Sequence, residues 1–303
     1  MSKILRPTWA TVNLSRLKKN YHELKKHQPK QNIIAVVKAD AYHHGVIEVV
    51  GALVEEGLDF FAVSSIEEAL EIRSAFTDVR ILVMGPSLPN TWHHAKKLNL
   101  IITLYDDNSV EQALKENFLR VHLNVDTGMG RLGVSLSKAS KWMKILKEAE
   151  NISFEGIYTH FASSEKADSY YRLQQSRFYE LCKDPNIPLI IHSDNTGAWT
   201  LEKGPSYLTH GRLGLGLFGY QHHSSKVYPV LSWHTKIVSV KKIKPGDCIG
   251  YDHTYCAKQA ELIAILPIGY ADGLWRSHQN HFVFINNSAF PIIGRISMDQ
   301  TII

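Results

Sequence analysis

Short apolar runs alternate with amphipathic stretches along most of this 303-residue chain. The runs fall near residues 33–37, 60–63, 81–84, 100–104, 121–125, 154–159 and 188–192, with a weaker one near 208–213. Between them lie helix signals. Ser65-Ile66-Glu67-Glu68 reads as a capping box, in which the serine satisfies a free backbone N–H and the glutamate reaches back. Ser109-Val110-Glu111-Gln112 repeats the pattern. From Ser137 to Glu150, residues Ala139, Trp142, Met143, Ile145, Leu146 and Ala149 recur at helical spacing and give one apolar face. Strands alternating with helices imply parallel strands joined by crossover helices. About eight such units predict a closed (β/α)8 barrel rather than an open sheet.

The rhythm changes after Tyr228. Residues 230–240 alternate in part, Lys244-Pro245-Gly246-Asp247 reads as a turn, and short runs follow at 262–268, 282–285 and 291–296 without a long helical stripe. We therefore expect a barrel domain over residues 1–227 and a β-rich domain over 228–303, with residues 8–14 a candidate to pair with the latter. The apolar ending Thr301-Ile302-Ile303 leads us to expect a truncated second domain.

Composition changes this picture little. The hydrophobic share of 44% and charged share of 21% are those of an ordinary globular protein, and the net charge of +5 is spread too evenly for a nucleic-acid role. One stretch, from Lys203 to Gly246, lacks Asp and Glu and suits either an anionic ligand or a solvated face. Cys182, Cys248 and Cys256 form no CxxC pair, so neither a disulfide framework nor a zinc knuckle is suggested, and a reducing cytoplasm fits. The first seven residues lack the apolar core of a signal peptide, and no stretch is long and uncharged enough to span a bilayer. The pairs His43-His44, His93-His94 and His222-His223 have no HExxH or carboxylate cluster beside them, so we read them as surface histidines and expect no metal. Gly214-Leu215-Gly216-Leu217-Phe218-Gly219 matches the dinucleotide fingerprint but lacks the following helix and acidic residue. Its glycines instead suit close approach of backbone N–H groups to a phosphate.

The unusual polar residues sit at strand ends. Lys38 ends the first strand, where a neutral amine can form a Schiff base with an aldehyde; a mere polar strand cap is the simpler reading of that residue alone. Asp126-Thr127-Gly128-Met129-Gly130-Arg131 follows the fifth strand, His160 ends the sixth, and Ser193-Asp194-Asn195-Thr196-Gly197 follows the seventh. Arg212 and Gly214 fall at the eighth. In a barrel all of these meet on the C-terminal face, where active sites are built.

The motifs Ala35-Val36-Val37-Lys38-Ala39-Asp40-Ala41-Tyr42, Asp126-Thr127-Gly128-Met129-Gly130-Arg131-Leu132-Gly133, Tyr158-Thr159-His160-Phe161, Ile268-Gly269-Tyr270-Ala271-Asp272-Gly273 and Gly294-Arg295-Ile296-Ser297-Met298-Asp299-Gln300 occur in this order along the whole chain. Together they closely resemble the alanine racemases, fold-type III enzymes that use pyridoxal 5′-phosphate (PLP). The resemblance implies that Lys38 carries PLP and acts as one base, while Tyr270 acts as the opposite base from the partner subunit of a homodimer. It implies that Tyr42, Thr196, Gly214 and Leu215 hold the cofactor's phosphate, that Asn195 also binds the cofactor, that Arg212 faces the pyridine nitrogen and that His160 packs beside the ring. Arg131 and Met298 match positions that contact the substrate, alanine, and a guanidinium fork suits a carboxylate. Racemisation needs a proton taken from one side of Cα and another delivered to the other, hence two bases. A tyrosine ordinarily holds its proton to about pH 10, so Arg131, Arg212 and His160 are candidates to ease its loss. An arginine at the pyridine nitrogen leaves that nitrogen unprotonated, which disfavours transamination.

Three departures from the family pattern stand out. Asn124 occupies the place of a lysine that is often modified to a carbamate, so a bound anion such as chloride is a candidate to orient Arg131. Asp40 and His43 stand where Asn and Gly are commoner. The family also continues past Met298-Asp299-Gln300 into a region carrying another active-site tyrosine. The implied function is interconversion of L- and D-alanine in the cytoplasm, with D-alanine destined for peptidoglycan. The rivals are a broad-specificity amino-acid racemase and a non-catalytic PLP-binding protein, the latter if the short C-terminus disables the site. PLP carriers resemble the barrel alone, so the Gly269-Tyr270-Ala271-Asp272-Gly273 motif in the β-rich region favours an enzyme.

Overall fold

A computed structural model describes residues 5–184, 189–220 and 226–303. The His222-His223 pair and the first residue of the run at 188–192 lie outside the described residues. The chain forms two compact units, residues 13–230 and residues 1–12 with 231–303. Strand β1 (Thr8–Val12) belongs to the second unit, where it pairs antiparallel with the strand that opens at Leu231.

The first unit runs α1 (Leu14–His27), β2 (Asn32–Val36), a left-handed turn α2 (Lys38–His43), α3 (Val46–Val54), β3 (Phe60–Val63), α4 (Ile66–Ala75), β4 (Arg80–Val83), α5 (Trp92–Lys97), β5 (Ile101–Leu104) and α6 (Asp107–Ala113). It continues with β6 (Leu119–Asp126), β7 (Val134–Ser135), α7 (Leu136–Glu148), β8 (Ile152–Tyr158), α8 (Ser169–Cys182), β9 (Ile190–His192), α9 (Thr196–Leu201) and β10 (His210–Leu213). Parallel pairing runs β5-β4-β3-β2-β10-β9-β8-β6 and returns through β5–β6, so eight strands close a (β/α)8 barrel. Strands β2 to β5 carry mainly apolar runs because both faces are covered. Ile34 and Val36 meet Phe60, Ala62, Leu82 and Ile101 in one cluster.

The interior is not wholly apolar. His122, His192, His210 and Arg212 are buried among these strands. A side chain at Gly156, opposite His122 in the β6–β8 register, would run into the imidazole ring, so the bare backbone there makes room for the histidine.

The helix predicted over residues 137–150 forms as α7, with Ala139, Trp142, Met143 and Leu146 buried. Of the two capping boxes, the one at Ser109 needs correction. Asp106, not Ser109, caps α6; its carboxylate accepts from Ser109 N at 2.6 Å, and Ser109 Oγ accepts from Asp106 N at 3.0 Å. An aspartate was available three residues upstream, which leaves Val110 free to enter the helix interior. Ser65 does cap α4 and Glu68 does reach back, accepting from Ser64 N at 2.7 Å, while its other oxygen binds backbone outside the helix, as described below.

The second unit is β-rich: β11 (Leu231–Thr235), β12 (Ser239–Ile243), β13 (Cys248–Ile249), β14 (Tyr255–Cys256), β15 (Glu261–Leu266), β16 (Phe282–Ile285), β17 (Ser288–Pro291) and β18 (Thr301–Ile302). A three-stranded sheet β12-β15-β18 and three two-stranded pairs, β1–β11, β13–β14 and β16–β17, surround a core of Leu266, Ile268, Ile292, Ile296 and Ile303. The apolar run expected at 291–296 contributes only the end of β17 and one bridge, Ile293 to Ile302, because Gly294 turns the backbone at φ 66°. The cysteine reading also changes: Cys248 and Cys256 sit opposite each other across β13–β14 and are disulfide-bonded. Antiparallel pairing of two short strands brings them together at a spacing that signals nothing in the sequence. Cys182 is free and buried.

Candidate active site

Strand β2 ends at Val36, and Val37 N still donates to Ala62 O of β3 at 2.9 Å. Beyond Lys38, residues Ala39, Asp40, Ala41, Tyr42 and His43 all adopt φ between 52° and 62°. No glycine occurs among them, and each L-residue held left-handed costs roughly 1–2 kcal/mol. Asn or Gly in place of Asp40 and His43 would relax the backbone there. The turn is closed by Ala41 N donating to Val37 O (3.0 Å) and His44 N to Asp40 O (3.0 Å), while the Asp40 carboxylate accepts from Val46 N at the start of α3 (2.7 Å). His44 is not a surface residue as expected; its ring is buried against Phe218, and Nδ1 lies 2.8 Å from Tyr42 O. His93 and His94 are exposed.

The loop after β6 is wound around Asp126. Its carboxylate accepts from Gly128 N at 2.9 Å and Gly130 N at 3.1 Å, with Gly128 at φ 141° and Gly130 at φ 68°. Helix α8 grips the same loop with a polar stripe. Tyr170 Oη donates to Gly128 O (2.6 Å), Arg177 Nη1 to Thr127 O (2.8 Å), and Gln174 Nε2 to Thr127 Oγ1 (3.2 Å) and His160 O (3.1 Å). Arg131 emerges from this loop into the cavity, and no described side chain forms an ion pair with it. Asn124 Nδ2 donates to Leu132 O at 2.9 Å, while its buried Oδ1 has no partner among the described residues.

Asn195 caps α9 through Oδ1, which accepts from Ala198 N (3.0 Å) and from Ser164 Oγ (2.7 Å). Its carboxamide oxygen is thus committed to holding the loop. Thr196 Oγ1 faces Gly214 N (3.4 Å) and Gly216 N (3.3 Å), and Tyr42 Oη lies so close to Gly214 that a Cβ there would collide with it. Leu215 is half exposed beside them. Burial raises the Tyr42 hydroxyl to about 12.

Arg212 on β10 is buried, and both of its terminal nitrogens are engaged. It donates to His192 Nδ1 (2.7 Å), His192 O (3.0 Å), Thr159 O (2.8 Å) and Ser193 O (3.1 Å), and its Nη2 lies 3.3 Å from His160 Nδ1. Burial lowers its pKa to about 10, which leaves it charged at neutral pH. Burial, then the charges of Arg212, Arg131 and Lys38, bring His160 down to about 3. His160 is therefore neutral, which removes it from the cations proposed to ease proton loss from tyrosine.

Lys38, Tyr42, Asn124, Arg131, His160, Asn195, Thr196, Arg212, Gly214 and Leu215 all line one cavity of about 340 Å³ at the C-terminal ends of the strands. Among the described residues no group of three or more His, Cys, Asp or Glu is placed to hold a metal.

Residues 12–222 match the model for the alanine racemase N-terminal domain, and residues 230–303 that for the C-terminal domain. The chain belongs to the alanine racemase family. An alanine racemase of Staphylococcus carnosus is 36% identical over 317 residues, covering 99% of this chain and 82% of the relative. One of Streptococcus mutans is 37% identical over 309 residues, covering 97% and 82%. The crystal structure of alanine racemase from Bacillus anthracis with bound L-Ala-P superposes with a TM-score of 0.90 at 33% identity, covering 99% of this chain and 82% of that one. A histidine racemase from Leuconostoc mesenteroides superposes at 0.88 with 27% identity, covering 99% and 85%.

In this family member the remaining candidate residues, Tyr270 and Met298, belong to the β-rich unit. Backbone bonds bring them together there: Tyr270 N donates to Ser297 O (3.0 Å) and Ala271 N to Met298 O (2.9 Å). The Arg276 guanidinium lies 4.8 Å from the Tyr270 ring centre. Arg6 forms a fork with both Asp272 oxygens (2.5 and 2.9 Å) and donates to Asp299 O (3.1 Å), so an N-terminal residue joins the two motifs. Sequence reading missed Arg6, Glu68 and the α8 stripe. Tyr170, Gln174 and Arg177 recur at i, i+4 and i+7, a polar stripe that marks one face of a helix. The pairing of Arg6 with Asp272 leaves no local signal.

Proposed function

We propose that this protein is an alanine racemase that interconverts L- and D-alanine with PLP as cofactor and supplies D-alanine for peptidoglycan. The observation that carries this reading is the convergence of Lys38, Arg131, His160, Thr196, Arg212 and Gly214 on one cavity in a chain matched along its length to the family. The donor set suits PLP. The Thr196 and Tyr42 hydroxyls and the N–H groups around Gly214 suit a phosphate, and the cradle depends on a residue without Cβ at 214.

When bound, PLP supplies delocalisation for the electrons left at Cα after its proton departs. The chain's own residues do the rest. Lys38 would hold the cofactor through its amine, and that amine, once freed, would exchange a proton on one side of Cα. Tyr270, contributed by the partner subunit of a homodimer, exchanges a proton on the other side. Arg131 receives the substrate carboxylate, and Met298 is a second contact to the substrate. Arg212 stays charged at neutral pH, so it would keep its proton rather than cede it to the cofactor's ring nitrogen.

The test is reconstitution of the purified protein with PLP. We expect borohydride to fix the cofactor to the peptide containing Lys38, and alanine to racemise. Lys38→Ala should abolish both, and racemisation by that variant would overturn the reading. Mixing Lys38→Ala with Tyr270→Phe subunits should restore part of the activity, since one site per mixed dimer then has both bases; no restoration would remove the shared-site dimer. The histidine racemase neighbour supports a second reading, a broader amino-acid racemase, which a panel of L-amino acids would separate.

A further inference from the structure

The left-handed turn after Lys38 begins with an N–H that has no partner inside the turn, as any helical segment does at its start. That N–H belongs to Ala39, and it donates to Glu68 Oε1 at 2.8 Å. The second carboxylate oxygen accepts from Ser64 N at 2.7 Å and Ser64 Oγ at 2.8 Å. Glu68 stands on α4, in the next strand-helix unit, so one side chain joins the residues that follow β2 to those that follow β3. Ser64 and Lys38 both line the cavity.

Each of these contacts uses Glu68 as acceptor, on both oxygens. A glutamine must turn an NH2 toward either Ala39 N or the Ser64 donors, so only an ionised carboxylate satisfies all three. Burial opposes that charge, but the Ala39 and Ser64 N–H groups and the Ser64 hydroxyl outweigh it and hold the carboxyl below its ordinary range. A strained turn persists only where its surroundings over-determine it. Within the turn the bonds are local, from Ala41 N and His44 N, whereas Glu68 is the anchor beside Lys38 itself.

We propose that Glu68 is a positioning residue for Lys38, holding the left-handed turn so that the amine meets the cofactor's carbonyl in a fixed orientation. This rests on the reading of Lys38 as the PLP-bearing lysine.

The experiment compares PLP-loaded wild type with Glu68→Gln and, as a control for charge on the same helix, Glu71→Gln. Three quantities are read: hydrogen exchange at the Ala39 amide, release of PLP to a scavenger, and kcat against KM for alanine. For Glu68→Gln we expect Ala39 exchange and PLP release at least about tenfold faster, with kcat down about ten- to a hundredfold and KM changed less than about threefold. Glu71→Gln should match wild type. Wild-type exchange and release in Glu68→Gln, or a loss confined to melting temperature, overturns the proposal. Failure of the wild type itself to attach PLP at Lys38 overturns the reading of the site, and Ala39 exchange then still decides whether Glu68 holds the turn.

Discussion

Arg212 donates from Nη1 to Nδ1 of His192 at 2.7 Å, and the direction of that bond orders the interior of the barrel. A guanidinium has no acceptor, so His192 Nδ1 must be bare and its proton must sit on Nε2. His192 Nε2 lies 3.0 Å from His122 Nδ1 and donates to it, which places the His122 proton on Nε2. That Nε2 is buried with no partner among the described residues. The chain of bonds therefore keeps both histidines neutral and fixes the two terminal nitrogens of Arg212.

Arg212→Lys keeps the charge but loses the fork. It strips carbonyl partners at His192, Thr159 and Ser193 that one ammonium cannot replace together. We expect a loss of at least about 2 kcal/mol in denaturant unfolding and a fall of about tenfold or more in kcat/KM. A variant as stable and active as wild type would show that the fork is dispensable.

Acid should destabilise the barrel before its surface carboxylates protonate. Burial, then the charges of His210 and nearby arginines, lowers His122 from 6.5 to about 3, and burial lowers His210 to about 4. Between the two pKa values of each, the unfolded chain takes up a proton that the folded chain refuses. Stability is thus fully present above about pH 6.5 and falls as the pH drops toward the folded values, by about 1.4 kcal/mol per pH unit for each group. Unfolding free energies at pH 7, 6 and 5 check this. His122→Asn keeps an acceptor for His192 but does not titrate, so its slope should be shallower by about one proton.

Much of this was legible in the sequence, and the reasons differ by element. Strands β2 to β5 are written as mainly apolar runs because both faces are covered, and β2 and β3 are followed by Lys38 and Ser64, which line the cavity. Register and local winding are not written in this way. Nothing in Ala39-Asp40-Ala41-Tyr42-His43 announces a left-handed turn, since L-residues without glycine adopt it only under tertiary constraint. The capping reading of Ser65 and Glu68 identified a helix start but not its second use, because a carboxylate three residues into a helix can reach a neighbouring strand end as readily as its own cap.

Gly214→Ala tests the cradle at the phosphate end. The added methyl group would meet Tyr42 Oη, with Cζ of the same ring next at 3.1 Å. We expect PLP affinity to fall at least about tenfold while the protein still folds. Tyr42→Phe removes the hydroxyl and with it the closest contact, so adding Gly214→Ala to Tyr42→Phe should cost less than adding it to wild type. PLP titrations of the four proteins give the coupling, and strict additivity would mean that the two residues do not share the site.

Arg6→Ala should separate positioning from stability in the β-rich unit. Its fork to Asp272 is partly exposed, so the pair contributes less than about 1 kcal/mol to folding and the melting temperature should barely move. Asp272, however, also accepts from Gly269 N at 2.9 Å, and Arg6 holds Asp299 O, so the fork keeps the backbone on either side of Tyr270 and Met298 in place. If Tyr270 is a base, its misplacement should lower kcat in both directions by roughly three- to tenfold, since small displacements of a reacting group are expensive. Arg6→Lys should fail to restore the rate, because a point charge cannot bridge Asp272 and Asp299 as the planar fork does. Recovery by Arg6→Lys would reduce the role of Arg6 to charge alone, and an unchanged rate in Arg6→Ala would show that the two motifs hold their geometry without it.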